Sequence, residues 1–99
     1  MIEMLVGLHV TNEVDYAKYR EGMTPILESF GGGFDYDFKI SEVLKSQSSS
    51  HINRVFTIFF PDKNTMDLFF IDKDYLRFKD KFFTNAVEST TIMATYEKP

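Results

Sequence analysis

The run Asn53-Arg54-Val55-Phe56-Thr57-Ile58-Phe59-Phe60-Pro61 constrains this chain more than any other stretch. It is almost continuous in β-branched and aromatic residues, closes on a proline and is followed by Asp62. So short an apolar run predicts a strand buried on both faces rather than a helix. Such a strand needs one layer packed above it and another below. The helical stretches of the chain are sized for one of those layers, which leaves the second to come from elsewhere.

With 99 residues the chain is expected to form one domain, 1–99, large enough for a single core. Hydrophobic residues at 43% and charged residues at 26% exclude a disordered chain. Eleven phenylalanines without a tryptophan predict a core built of rings, or a surface that another chain covers. The net charge of −4 comes with scattered lysines and arginines, so no phosphate-binding stripe forms and nucleic acid is not an expected partner. No cysteine is present, which excludes disulfides, a thiolate nucleophile and cysteine-based metal sites. No apolar run approaches membrane-spanning length, and Met1-Ile2-Glu3-Met4 lacks the pattern of a secretory leader. The expected location is the cytoplasm.

Taken in order, Met4, Val6, Leu8 and Val10 alternate with Leu5, Gly7 and His9, predicting a first strand with one strongly apolar face. Thr11-Asn12 is a helix cap, with Asp15 in the first turn where an acid suits the helix dipole. Tyr16, Tyr19, Met23, Ile26, Leu27 and Phe30 then recur at helical spacing. Gly22 and Pro25 predict a break or bend near Gly22 to Thr24. Gly31-Gly32-Gly33 ends the helix. Phe34, Tyr36, Phe38 and Ile40 alternate with Asp35, Asp37, Lys39 and Ser41 as a second strand, whose charged face suits an outer position, and Glu42-Val43-Leu44 is expected to continue it past an irregularity. Ser46-Gln47-Ser48-Ser49-Ser50 reads as a hairpin loop. Asp62 and Asp72 cap two helical segments, one running through Met66 and Phe70, the other carrying Tyr75, Phe78, Phe82 and Ala86. Thr90 to Tyr96 closes the chain as a last strand. This order predicts an α+β, ferredoxin-like βαββαβ sandwich with a four-stranded antiparallel sheet.

The ordered set Val10-Thr11 before Asp15, Tyr16, Tyr19, Pro25 before Phe30-Gly31-Gly32, Phe34, Glu42-Val43-Leu44, Arg54-Val55, Phe60-Pro61 and Tyr75 resembles the family called domain of unknown function 1330. That family falls in the dimeric α/β-barrel superfamily, related to the antibiotic biosynthesis monooxygenases. The resemblance covers nearly the whole chain and implies a protomer whose open sheet face packs on a partner's. Two positions depart from the family pattern: Phe59 stands where a glutamate usually precedes the Phe-Pro pair, and Asp37 where an arginine is frequent. A ligand held by those charges in relatives is therefore not carried over.

Several residues are candidates for chemistry. His9, on a central strand, could act as a base, metal ligand or hydrogen-bond donor; the competing and favoured reading is a histidine pairing at a dimer interface. His51 reads as solvated, and two histidines so differently placed give no metal site. Asp35 and Asp37, two apart on a strand, are expected to point the same way, as paired carboxylates or, more simply, as a charged edge with Lys39. Arg54 is either a clamp for a carboxylate ligand or half of a structural ion pair. Tyr16, Tyr19 and Tyr75 are either core or the lining of a pocket, because buried hydroxyls need partners. A small-molecule site, if present, is expected to be bordered by some combination of His9, Tyr16, Tyr19, Arg54 and Tyr75. No cofactor is predicted.

Two functions remain open from the sequence. One is an enzyme, monooxygenase- or isomerase-like, acting on a small organic molecule, with His9 as its catalytic group. The other is a non-catalytic dimeric module that binds a small ligand or serves structurally. In both, the open sheet face is expected to be covered by a second copy, with His9, Asp35, Asp37 and Thr95 near a polar rim between the sheets.

Overall fold

The computed structural model describes residues 1–49 and 51–99; Ser50, the end of the serine-rich stretch, lies outside them. Strand β1 (Ile2–Val10) leads into helix α1 (Glu13–Ser29), then β2 (Gly33–Lys39) and β3 (Arg54–Phe60). Two short helices follow, α2 (Lys63–Phe70) and α3 (Lys73–Phe78), and a wider π turn, Lys79–Phe83, runs into the one-turn α4 (Thr84–Ala86). Strand β4 (Val87–Glu97) completes the chain. The sheet order is β2-β3-β1-β4 with every neighbouring pair antiparallel, a ferredoxin-like α+β fold. β3, the apolar run, is a central strand as its composition requires.

The local signals work as their chemistry predicts. Asn12 Oδ1 accepts the Asp15 amide at 3.0 Å, Asp62 Oδ1 that of Thr65 at 2.7 Å, and Asp72 Oδ2 that of Tyr75 at 3.0 Å, so each cap satisfies an otherwise orphan donor. At the other end of α1, Gly31 takes φ +80°. The Gly32 amide then reaches the Leu27 carbonyl and the Gly31 amide that of Glu28, a paired closure that glycine enters without a Cβ penalty.

Between the sheet and its helical cover lies the core. Met4, Val6, Leu8 and Val10 of β1 and Phe56, Ile58 and Phe60 of β3 face Tyr16, Tyr19, Met23 and Leu27 of α1. Phe69 is fully buried, with ring contacts to Phe30, Phe60, Phe70 and Tyr75. The other face of the sheet carries Leu5, Gly7, Val55, Phe59, Tyr36, Phe38, Met93 and Tyr96, and no helix covers it. No helix among the described residues is long and apolar enough to cross a membrane.

Three local expectations are corrected. First, the break expected near Gly22 to Thr24 is absent, and α1 is continuous through Pro25. Proline removes one ladder bond, but Pro25 and Glu21, whose carbonyl loses that partner, are both exposed, so solvent can satisfy the carbonyl. Tyr16, Tyr19, Met23 and Leu27 give both halves a buried face against the core. Second, β2 stops at Lys39, and Glu42-Val43-Leu44 is not strand. Its irregularity lies earlier, a bulge between Phe34 and Tyr36. Third, Gly22 does not interrupt the helix; it admits a neighbour. A Cβ there would lie 2.3 Å from two ring carbons of Phe78. Gly22→Ala should therefore lower stability by about 1 kcal/mol in urea denaturation, the displaced ring outweighing the alanine's better helix propensity. A stabilised variant would show that the ring moves aside without cost.

Candidate functional site

The sheet and helices do not meet everywhere. Between them is a cavity of about 300 Å³, at the small end of the range for ligand sites. Val6, Leu8, Phe34 and Phe56 form its sheet side, and Tyr16, Tyr19, Arg20 and Met23 of α1 its roof. Tyr75 and Phe83 close one flank, while Lys79, at the start of the π turn, lines it beside exposed Thr90 and Ile92 of β4. The π turn widens the helical cover at this point and brings Lys79 and Phe83 to the same cavity.

Its polar groups are few and specific. The hydroxyls of Tyr19 and Tyr75 lie 3.0 Å apart and share one hydrogen bond. Two phenols bring two protons, and the bond between them uses one. Tyr16 Oη accepts from Arg20 Nε at 2.9 Å. The central carbon of the Arg20 guanidinium sits 3.8 Å from the Phe34 ring centre and 5.1 Å from that of Phe56, so rings and cation fix one another.

Behind Arg20 stands an ionic brace. Asp37 accepts Arg54 Nε and Nη2 on its two oxygens, each at 2.8 Å, the bidentate geometry a guanidinium favours. Arg20 Nη2 is also 2.8 Å from Asp37 Oδ2, so one carboxylate is the counterion of two guanidinium groups. Nη2 is shielded from solvent. Burial pushes the Asp37 carboxyl up, but the Arg54 hydrogen bonds and the two guanidinium charges outweigh it and hold the group below its ordinary value of 3.8. The Asp37 hydrogen bonds chiefly raise Arg54 in turn.

Burial is the largest influence on all three phenols and raises each. It is reinforced by the Tyr75 hydroxyl at Tyr19, opposed by the Arg20 charge at Tyr16 and opposed by the Tyr19 hydrogen bond at Tyr75. The three are neutral at pH 7, so they offer hydrogen bonds and no base.

Of the residues singled out by sequence, Tyr16, Tyr19 and Tyr75 line this cavity together. Arg54 does not line it; its guanidinium lies 5.0 Å from the centre of the Tyr16 ring and gives Nε and Nη2 to Asp37, the structural ion pair of the two readings. His9 is on the opposite face of the sheet, its Nδ1 3.3 Å from Glu88 Oε2 and its ring edge-on to His51 at 5.7 Å. Asp35 and Asp37 do not point the same way, because the bulge between Phe34 and Tyr36 inserts a residue and inverts the alternation. Asp35 joins Lys98 and, through it, Glu3 on the open face, while Asp37 turns to the helical side. Thr95 pairs with Met4 and likewise faces the helices, so neither Asp37 nor Thr95 belongs to the open face. Arg20 was missed by sequence reasoning. Its signal was available: four residues after Tyr16, it occupies the same helical face as the tyrosine stripe. Among the described residues no cluster of histidine and acidic side chains is suited to a metal ion.

No family model matches the chain, and no curated protein sequence does. Solved structures do. A protein of unknown function from Rhodopseudomonas palustris superposes with a TM-score of 0.79 at 21% identity, covering 99% of this chain and 83% of that one. A "dabb family" protein with a ferredoxin-like fold from Mesorhizobium loti gives 0.68 at 14%, covering 99% and 96%. A protein from Jannaschia described as a dimeric ferredoxin-like protein of unknown function gives 0.55 at 18%, covering 98% of each chain. At these identities the likeness shows the fold alone.

Proposed function

We propose that this chain is a dimeric small-molecule-binding protein whose ligand sits between the sheet and its helical cover. The observation that carries the reading is the cavity of about 300 Å³, apolar in its walls and furnished with three buried tyrosines and an arginine. A core assembled only for stability would have no reason to bury a guanidinium and a phenol pair around a space. Membership of the family its motifs resemble, and pairing through the open sheet face, belong to the same proposal; a structurally similar protein is described as dimeric. An enzymatic reading has one specific support. Neutral phenols and a guanidinium are electrophilic groups that could steady a negative charge developing on a carbonyl oxygen, provided the substrate brings its own proton acceptor.

The test is a screen for compounds that raise the melting temperature, followed by the same measurement on Val6→Phe, which pushes a ring into the cavity. A compound present at 100 times its Kd should stabilise the wild type by about 2.7 kcal/mol. The variant should lose that increment. Compounds that stabilise both proteins equally would place binding elsewhere and overturn the reading.

A further inference from the structure

We infer that the cavity selects a small monoanion with an apolar body, most simply an aromatic or short-chain carboxylic acid, and that Arg20 is the residue that anchors its carboxylate. This rests on the cavity-binding reading above and specifies the ligand's chemistry.

The first argument is the sign of the lining. Acidic residues outnumber basic ones in the chain, 15 to 11, yet the side chains around this cavity include two cations, Arg20 and Lys79, and no carboxylate. Asp37, the nearest compensating acid described, stands behind Arg20 and has both oxygens engaged by Arg54.

The second argument is the hydrogen-bond inventory of Arg20. Its Nε is used by Tyr16 Oη, and its Nη2 meets Asp37 Oδ2 at 2.8 Å. Nη1 has no hydrogen-bond partner among the described residues, and it is the donor left for a ligand oxygen. A guanidinium donor that no protein group accepts gains a charge-assisted hydrogen bond when a ligand oxygen reaches it. The guanidinium is already immobilised on Phe34 at 3.8 Å, so a ligand need not order it on binding. The spare proton of the Tyr19–Tyr75 pair supplies a further donor on the same cavity. Acceptor oxygens on a planar, singly charged group answer both.

The third argument is the rest of the wall. Leu8, Met23, Phe34, Phe56 and Phe83 offer only apolar surface. That suits a hydrocarbon or aryl body behind one anionic head, whereas a phosphate dianion would ask for more donors than the site holds.

The experiment compares benzoate, phenylacetate and hexanoate with their uncharged amides, using ligand-observed NMR and calorimetry on the wild type, Arg20→Gln and Arg20→Lys. At least one acid should bind the wild type 10-fold or more tightly than its amide. In Arg20→Gln the acid should fall to within about threefold of the amide while the amide's own affinity holds; Arg20→Lys should keep part of the preference. Should Arg20→Gln not fold, the acid-to-amide ratio of the wild type decides alone. Amides that bind as tightly as their acids would overturn the anion inference and leave the cavity reading standing. No binding by any of the six compounds would overturn both.

Discussion

Asp37→Asn is expected to lower the unfolding free energy by about 2–4 kcal/mol near neutral pH and to flatten its dependence on acid. The carboxylate is the shared counterion of two guanidinium groups whose side chains are only 16% exposed. Asparagine keeps the shape and one acceptor but removes the charge, leaving Arg54 with Glu13 at 3.8 Å and Arg20 with none at contact distance among the described residues. Because the Asp37 side chain is itself 32% exposed, solvent screens part of the loss, which sets the figure below that of a fully buried pair. The sign with pH follows from the direction of the shift. The folded-state carboxyl titrates below its ordinary value, so its stabilisation is complete above about pH 4 and is lost as the pH falls through the lowered folded value. Urea denaturation at pH 7, 5 and 3 should show wild type and variant converging in acid. Parallel losses from pH 5 to 3 would mean that Asp37 does not carry the acid dependence.

Phe38→Asp is expected to convert a dimer into a monomer at micromolar concentration, weakening association by at least 100-fold. Phe38 is 52% exposed and stacks on Tyr36, itself 59% exposed, with their ring centres 6.0 Å apart on the uncovered face. Met93 and Tyr96 are exposed on the same face, an apolar surface of the kind that marks an interface, and the loop from Ile40 to Ser48 borders it beside Val55 and Met93. Burying one such side chain is worth roughly 1.5–3 kcal/mol, and a two-fold axis presents every substitution twice. Since Phe38 packs little within its own protomer, the substituted chain should remain folded. Sedimentation velocity separates the outcomes: a wild type that sediments as a monomer, or a variant as tightly paired as the wild type, would refute pairing through this face.

Much of the fold is legible in the sequence because its signals are local. The alternation of Met4 to Val10, the caps at Asn12, Asp62 and Asp72 and the glycine closure at Gly31 each act over a few residues, and each stands as its chemistry dictates. The central place of β3 follows from apolarity on both sides. What escaped is set by tertiary pairing. The side on which Asp37 lies depends on one unpaired residue in β2, which alternation cannot reveal because both faces of that strand remain plausible in isolation. The same bulge gives Arg20 its counterion, so the brace behind the cavity was invisible from spacing. Pro25 misled for a related reason: whether proline breaks a helix depends on which side of it meets solvent. Arg20 went unread because the stripe of α1 was followed through its apolar and tyrosine positions alone.

The distribution of the bulges has a consequence for solubility. The ladder between the central strands β1 and β3 runs without a shift, whereas the β2–β3 ladder carries one, at Phe34/Tyr36, and the β1–β4 ladder two, at Leu5/Val6 and His9/Val10. An outer strand offers a row of unpaired amides and carbonyls on which a stranger's strand can be laid, and a regular row invites fibre growth. A bulge breaks the row and twists it away. The borders of the sheet that would allow unlimited stacking are thus kept irregular.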